Sequence, residues 1–241
     1  MNNNVSSFIS ELKDLANKET ISITIPSTNK AAKFKPLTVR QQKDALKASL
    51  AGVHGTLLFF NTINGILEEN CEEAIDFTIQ DRVYIILQLR NNALGSTYVK
   101  EGKTYDLTSS FVEIPKAPNL EIDYKGIGVK LAIPTLKTDT AINQKCAQEI
   151  KNKQAEEIAD VVDIMYAYEI LKYIESVEFN DETIEFNTLS LKNKKDVVDV
   201  LPLALNKEIL STITRIKNYD DNYLKVQGDD LTLDVSLLTS D

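Results

Sequence analysis

Glycine (8), proline (6) and cysteine (2) are scarce in this 241-residue chain. That excludes a collagen-like repeat, a low-complexity linker protein and a disulfide-stapled mini-domain. Histidine occurs once, at His54. A two-histidine zinc site is therefore out of reach, and no Cys-x-x-Cys or His-x-x-x-His spacing accompanies it. No stretch approaches the ~18 apolar residues of a membrane span, and the opening MNNNVSSFISELKDL lacks a basic region followed by an apolar run. A soluble chain, cytoplasmic at synthesis, is expected. Cys71 and Cys146 lie far apart in sequence, and the expectation is two separate thiols. Positive charge is in deficit as well: 27 Lys+Arg against 36 Asp+Glu leave a formal charge of −9. A mainly electrostatic grip on nucleic acid or anionic lipid needs clustered cations, so neither is expected as a partner. The one basic cluster, Lys192-Asn193-Lys194-Lys195, is followed at once by Asp196 and Asp199 and reads as a solvated helix face.

Hydrophobic residues make up 43% and charged residues 26%, enough apolar content to bury a sizeable core. The patterning predicts an α+β chain, mostly helical with several short antiparallel β-hairpins. Val5, Phe8, Ile9, Leu12 and Leu15 recur at helical spacing and define an amphipathic first helix, free to dock on this chain or another. Ile21 to Ile25 alternates with period two and meets Ala31 to Lys35 through the turn residues Pro26-Ser27-Thr28-Asn29-Lys30. Thr38 caps a helix from Val39 to about Leu50 whose wet side is expected at Gln41, Gln42 and Lys43. A second helix, Thr56 to Glu69, is apolar around much of its circumference. Thr78-Ile79-Gln80-Asp81 has the form of a capping box opening a helix that carries Ile79, Val83, Ile86, Leu87 and Arg90 on one side and stops at Gly95. Arg90 there suits the helix C-terminal dipole.

Two tight hairpins are expected next, 98–107 about Glu101-Gly102 and 120–133 about Lys125-Gly126. Helices are then expected over 140–151 and 155–176, the second with Ile158, Val162, Met165, Leu171 and Ile174 as one stripe. A hairpin about Asn180-Asp181-Glu182 follows, then helices at 189–200 and 203–217, with Pro202 one residue into the latter. The segment after Tyr223 reads either as a final hairpin about Gly228-Asp229-Asp230 or as an acidic tail. Its Asp220, Asp221, Asp229, Asp230, Asp234 and Asp241 match no calcium loop and read as solvated. Pro115 and Pro118 place a boundary near 113–119, giving regions 1–115 (hairpin plus helices) and 116–241 (hairpin and long helices), or one continuous domain.

Catalytic chemistry is nearly absent. His54 with Cys71 or Cys146 is a coincidence of few residues rather than a motif. Gly126-Ile127-Gly128 lacks the third glycine and the setting of a dinucleotide loop, and adjacent pairs such as Glu68-Glu69 and Glu156-Glu157 point apart on a helix. No catalytic residue, cofactor or metal is expected.

Ile25-Pro26-Ser27-Thr28-Asn29-Lys30 followed by Phe34-Lys35-Pro36-Leu37-Thr38-Val39-Arg40-Gln41-Gln42-Lys43 resembles the N-terminal signature of the baseplate hub protein family of T-even-type contractile-tailed bacteriophages. Asn29 stands where glycine is usual, a mild departure because Asn also tolerates positive φ. Asp81-Arg82 leading to Leu87-Gln88-Leu89-Arg90 and Leu94-Gly95, then Val129 to Thr135, then Leu201-Pro202, continue the similarity in order. The resemblance implies a non-enzymatic virion or assembly protein, in the tail baseplate or in host cytoplasm during assembly. Its partners would be other baseplate hub and tail proteins, with self-association left open. A weaker similarity of the opening to phage tail assembly chaperones implies the alternative of a soluble factor absent from the virion. The outsider is a cell-wall hydrolase using carboxylates such as Glu178 and Glu185. The candidate interface residues are Phe8, Ile23, Ile25, Phe34, Pro36, Arg90, Ile133 and Pro134. The 21–37 hairpin is expected to organise the N-terminal half beside an intersubunit contact, and aspartate at Ile23 and Phe34 to abolish folding or assembly.

Overall fold

The computed structural model describes residues 5–12, 19–109, 119–151, 158–217 and 223–239. The expected boundary near 113–119 and the far end of the first stripe, Leu15, lie almost wholly outside the described residues, as do Asp220, Asp221 and Asp241. Helix α1 covers 5–12. Strands β1 (Ile21–Ile25) and β2 (Lys30–Phe34) form the first hairpin, with Asn29 at φ 55° in its turn. Helices α2 (Val39–Ser49), α3 (Gly55–Asn70) and α4 (Ile79–Leu94) follow, then hairpin β3 (Thr97–Lys100) and β4 (Lys103–Asp106). The capping boxes at Thr38 and Thr78 both form, with Gln41 and Asp81 closing them, and Gly95 ends α4 at φ 82°.

Strands β5 (Glu121–Tyr124) and β6 (Ile127–Leu131) lead into α5 (Leu136–Lys151) and α6 (Ile158–Leu171). Strands β7 (Ile174–Phe179) and β8 (Glu182–Glu185) then join β5 and β6 in a four-stranded antiparallel sheet of order β5-β6-β7-β8. Helices α7 (Leu191–Val200) and α8 (Leu203–Lys217) precede the last hairpin, β9 (Tyr223–Val226) and β10 (Asp229–Thr232), and a 3-10 turn at Val235–Leu238. The α+β class expected from the sequence is the one found. Helices from either side of residues 110–118 pack on each other, α3 and α4 both touching α5, and one apolar cluster runs from Ile23 through Ile86 and Leu171 to Leu238.

Four hairpins turn on two residues with positive φ: Glu101-Gly102, Lys125-Gly126, Asn180-Asp181 and Gln227-Gly228. Their registers, Lys100↔Lys103, Tyr124↔Ile127, Phe179↔Glu182 and Val226↔Asp229, match the tight turn whose twist suits paired strands. The expected strand limits shift accordingly: β6 ends at Leu131 rather than Ile133, and Glu182 and Asp229 belong to strands rather than turns.

Several expectations are corrected. Ile174 and Ser176 lie in β7, not in a helix reaching 176, because Lys172-Tyr173 breaks α6 and Ala132 donates to the Tyr173 carbonyl. The buried side chains of α6 are Ile164, Tyr168, Ile170 and Leu171 among the described residues, while Val162 faces outward. The helix is apolar nearly all round, so periodicity selects no face. Gln41 is buried rather than wet, since its amide exchanges hydrogen bonds with Asn70 (2.7 and 3.3 Å). Pro202 precedes α8, its carbonyl accepting from Asn206 (2.9 Å) as a cap does. The acidic C-terminal segment is a packed hairpin: Val226, Leu231, Leu233, Leu237 and Leu238 are buried, and Asp229 and Asp234 pair with Lys103 and Lys100.

Candidate functional site

The residues that carry chemistry are gathered first in a brace between helices. Asp139 on α5 receives Arg82 of α4 at 2.8 Å, Lys172 at 2.9 Å and Asn64 of α3 at 3.0 Å. Lys172 also meets Glu169 of α6 at 2.9 Å, and Lys217 of α8 reaches the other Glu169 oxygen at 3.0 Å. Phe60 of α3 covers the Arg82 guanidinium, 4.5 Å from its ring centre. Burial alone would raise the Asp139 carboxyl, but Arg82 and Lys172 outweigh it and hold it far below the usual carboxylate range. Glu169 is depressed the same way, burial opposing and Lys172 and Lys217 prevailing. Burial works against the charge of Lys172, yet Glu169 and Asp139 raise it overall. Burial likewise opposes the Arg82 charge, and a guanidinium nevertheless keeps its proton. Each of these charges thus meets an opposite charge within the chain, so this network locks helices and has no proton to exchange near neutrality.

A second buried polar knot uses the residues that resemble the hub signature. The Asp81 carboxylate caps α4 through the Thr78 N–H (2.9 Å) and also accepts from the Ser27 N–H (2.8 Å) and hydroxyl (2.7 Å). The Pro-Ser-Thr turn and the Asp81-Arg82 pair therefore meet in space, pinning the β1–β2 hairpin onto the start of α4. Arg90, at the other end of α4, donates to the carbonyls of Leu237 (3.1 Å), Thr97 (2.8 Å) and Gly95. It clamps the C-terminal turn rather than merely answering a dipole. The Gln42 amide donates to the Leu238 carbonyl, and Tyr98 meets Ser236 at 2.6 Å, on the same seam.

Of the eight candidate interface residues, Ile23, Ile25, Phe34, Arg90 and Pro134 are buried within this chain, and Pro36 and Ile133 are half-buried. Phe8 alone is freely exposed, at 60%. Five of the eight therefore have no free surface to present. The exposed apolar side chains lie elsewhere: all described residues of α1 are exposed, with Val5, Phe8, Ile9 and Leu12 in one stripe, and the corner between α7 and α8 shows Val200 (79%) and Leu203 (83%). Tyr166 of α6, bonded to Asn206, and Val162 extend the exposed apolar side chains onto the neighbouring helix. Sequence reasoning missed the α7–α8 corner because the two residues flank Pro202 without a periodic pattern.

The four-stranded sheet presents two unlike faces. Paired residues share a face, so Ile122, Val129, Val177 and Ile184 form one apolar row. The opposite face carries Glu121-Lys130-Ser176-Glu185 and Asp123-Gly128-Glu178-Thr183. Glu178 and Glu185, the outsider acid–base pair, are diagonal neighbours on this open face, both exposed. His54, Cys71 and Cys146 are not brought together as a hydrogen-bonded set: Cys146 is buried, its thiol pushed up to about 11 by burial, and Cys71, also raised by burial, contacts Glu73. Both cysteines are free thiols, as expected. Among the described residues no three His, Cys, Asp or Glu side chains are placed to hold a metal ion, and no helix is long and apolar enough to cross a membrane.

Residues 18–219 match the family described as T4 bacteriophage base plate protein. The chain belongs to that family, and a structural role in the phage tail baseplate, in company with other baseplate proteins, follows. Comparison with curated proteins and with solved structures returned no match.

Proposed function

We propose that this chain is a non-enzymatic protein of the central baseplate hub, acting through protein–protein contacts as a structural or assembly component. The observation that carries this reading is the membership of residues 18–219 in the baseplate family, joined to the disposition of the side chains. The buried charged groups are engaged within the chain, by the Arg82–Asp139–Lys172–Glu169–Lys217 brace, the Asp81 knot and the Arg90 clamp, whereas the α1 stripe and the Val200–Leu203 corner remain open to partners. Apolar residues so placed fit a groove-filling contact.

Quantitative mass spectrometry of purified particles beside infected-cell lysate tests it, with copy number expressed relative to a tail-tube protein. A few copies per particle, in a multiple of three or six, is the expected result. Abundance in lysate with none in particles would replace the structural reading by that of an assembly factor or chaperone.

A further inference from the structure

We infer that the polar face of the four-stranded sheet is a docking trough for an extended, lysine-bearing segment of another baseplate protein. The inference rests on the baseplate reading for the identity of the partner's assembly and goes beyond it in naming the surface and the chemistry. A groove of about 530 Å³ runs over β5, β6 and β7, lined by Glu121, Asp123 and Glu178, with Lys130 at one side and Gly128 and Ser176 in its floor. Among the described residues those three carboxylates enter no ion pair, while the single cation, Lys130, is already held by Glu175 at 3.0 Å. Lys130 also feels Glu121 across the strand pair, which leaves Asp123 and Glu178 as the uncompensated charges of the trough.

Its depth has a specific origin. Gly128 sits on the strand without a side chain, and a Cβ there would meet the Glu178 Cβ at 3.4 Å. The missing side chain leaves room for the aliphatic stem of a lysine to lie across the sheet with its head among the carboxylates. Three features select this occupant. The negative field repels nucleic acid and anionic lipid and steers cationic protein surfaces. No three acidic side chains of the described residues are spaced to share a metal ion. The groove follows paired strands, so it fits an extended backbone better than a helix.

Zero-length carbodiimide cross-linking, which joins carboxylates to amines in direct contact, tests this on baseplates and assembly intermediates isolated from infected cells. Expected are cross-links from Glu121, Asp123 or Glu178 to lysines of another baseplate protein. They should fall at least fivefold with Gly128→Leu, which fills the trough while preserving every charge, and with Glu178→Gln for the links at that position. Both variants should keep the circular-dichroism melt of the parent, since Glu178 is exposed and Gly128 has no positive φ. Cross-links to baseplate proteins through other carboxylates only would overturn the trough and leave the baseplate reading standing. Links from the trough only to lysines of a second copy of this chain would overturn the heterologous partner. No link from the trough in particles that contain the chain would overturn the trough, whereas absence of the chain from both baseplates and intermediates would overturn the hub reading.

Discussion

At the scale of single residues, Asp139 is the most consequential side chain. It is buried, accepts from Arg82, Lys172 and Asn64, and faces two cations that lose their main counter-charge if it is removed. Asp139→Asn should cost about 3–5 kcal/mol in a urea titration near neutral pH, the usual loss when one member of a buried ion pair is deleted. The pH dependence has a definite sign. Asp139 and Glu169 are depressed when folded, so around pH 4 and below the unfolded chain binds more protons. Their stabilisation is present above the ordinary carboxylate range, about 4, and is lost as pH falls toward their folded values. Wild type should thus lose stability steeply between pH 5 and pH 3, and Asp139→Asn should show a shallower fall; parallel curves would contradict the assignment. The thiols give a second prediction. At pH 8 Cys71, partly exposed, should react slowly with a thiol reagent, and Cys146, buried with its thiol pushed up to about 11, only on addition of denaturant.

At the scale of elements, what was legible in the sequence was local. The 98–107 and 120–133 hairpins announced themselves because X-Gly pairs supply the two positive-φ residues that a tight turn demands. The capping box of α4 was equally visible in Thr78 and Asp81. Illegible were bonds between residues distant along the chain: Asp81 meets Ser27 54 positions away, and Arg82 meets Asp139 57 positions away. Gln41 looked wet because its partner Asn70 lies on another helix, and Ile174 looked helical because the apolar run of α6 reaches it with no breaker residue. Burial was equally illegible for Ile23, Ile25 and Phe34, since an apolar residue in a strand reads alike whether it faces a partner or its own core. Two element-scale outcomes follow. Deleting residues 1–17 should leave the melting temperature within about 2 °C, because every described residue of α1 is exposed. Ending the chain after residue 219 should lower it by more than 5 °C in scanning calorimetry and raise binding of an apolar dye, because Leu233, Leu237 and Leu238 leave α4 uncovered.

At the scale of the whole molecule, the family match covers residues 18–219, while α1 and the β9–β10 segment fall outside it. The matched part holds the ion brace, the Asp81 knot and the acidic sheet face. The segments outside it differ in character: one is an unburied helix, the other a packed strap clamped by Arg90 and Gln42. The strap has a consequence in time as well as in space. A chain emerges from the ribosome N-terminus first, so α4 is made before the residues that cover it in the folded protein. Until Leu233, Leu237 and Leu238 are made, Val83, Ile86 and Leu87 lack the apolar cover they have in the folded chain. Residues 233–238 then cover that face of α4, held by Arg90 and Gln42.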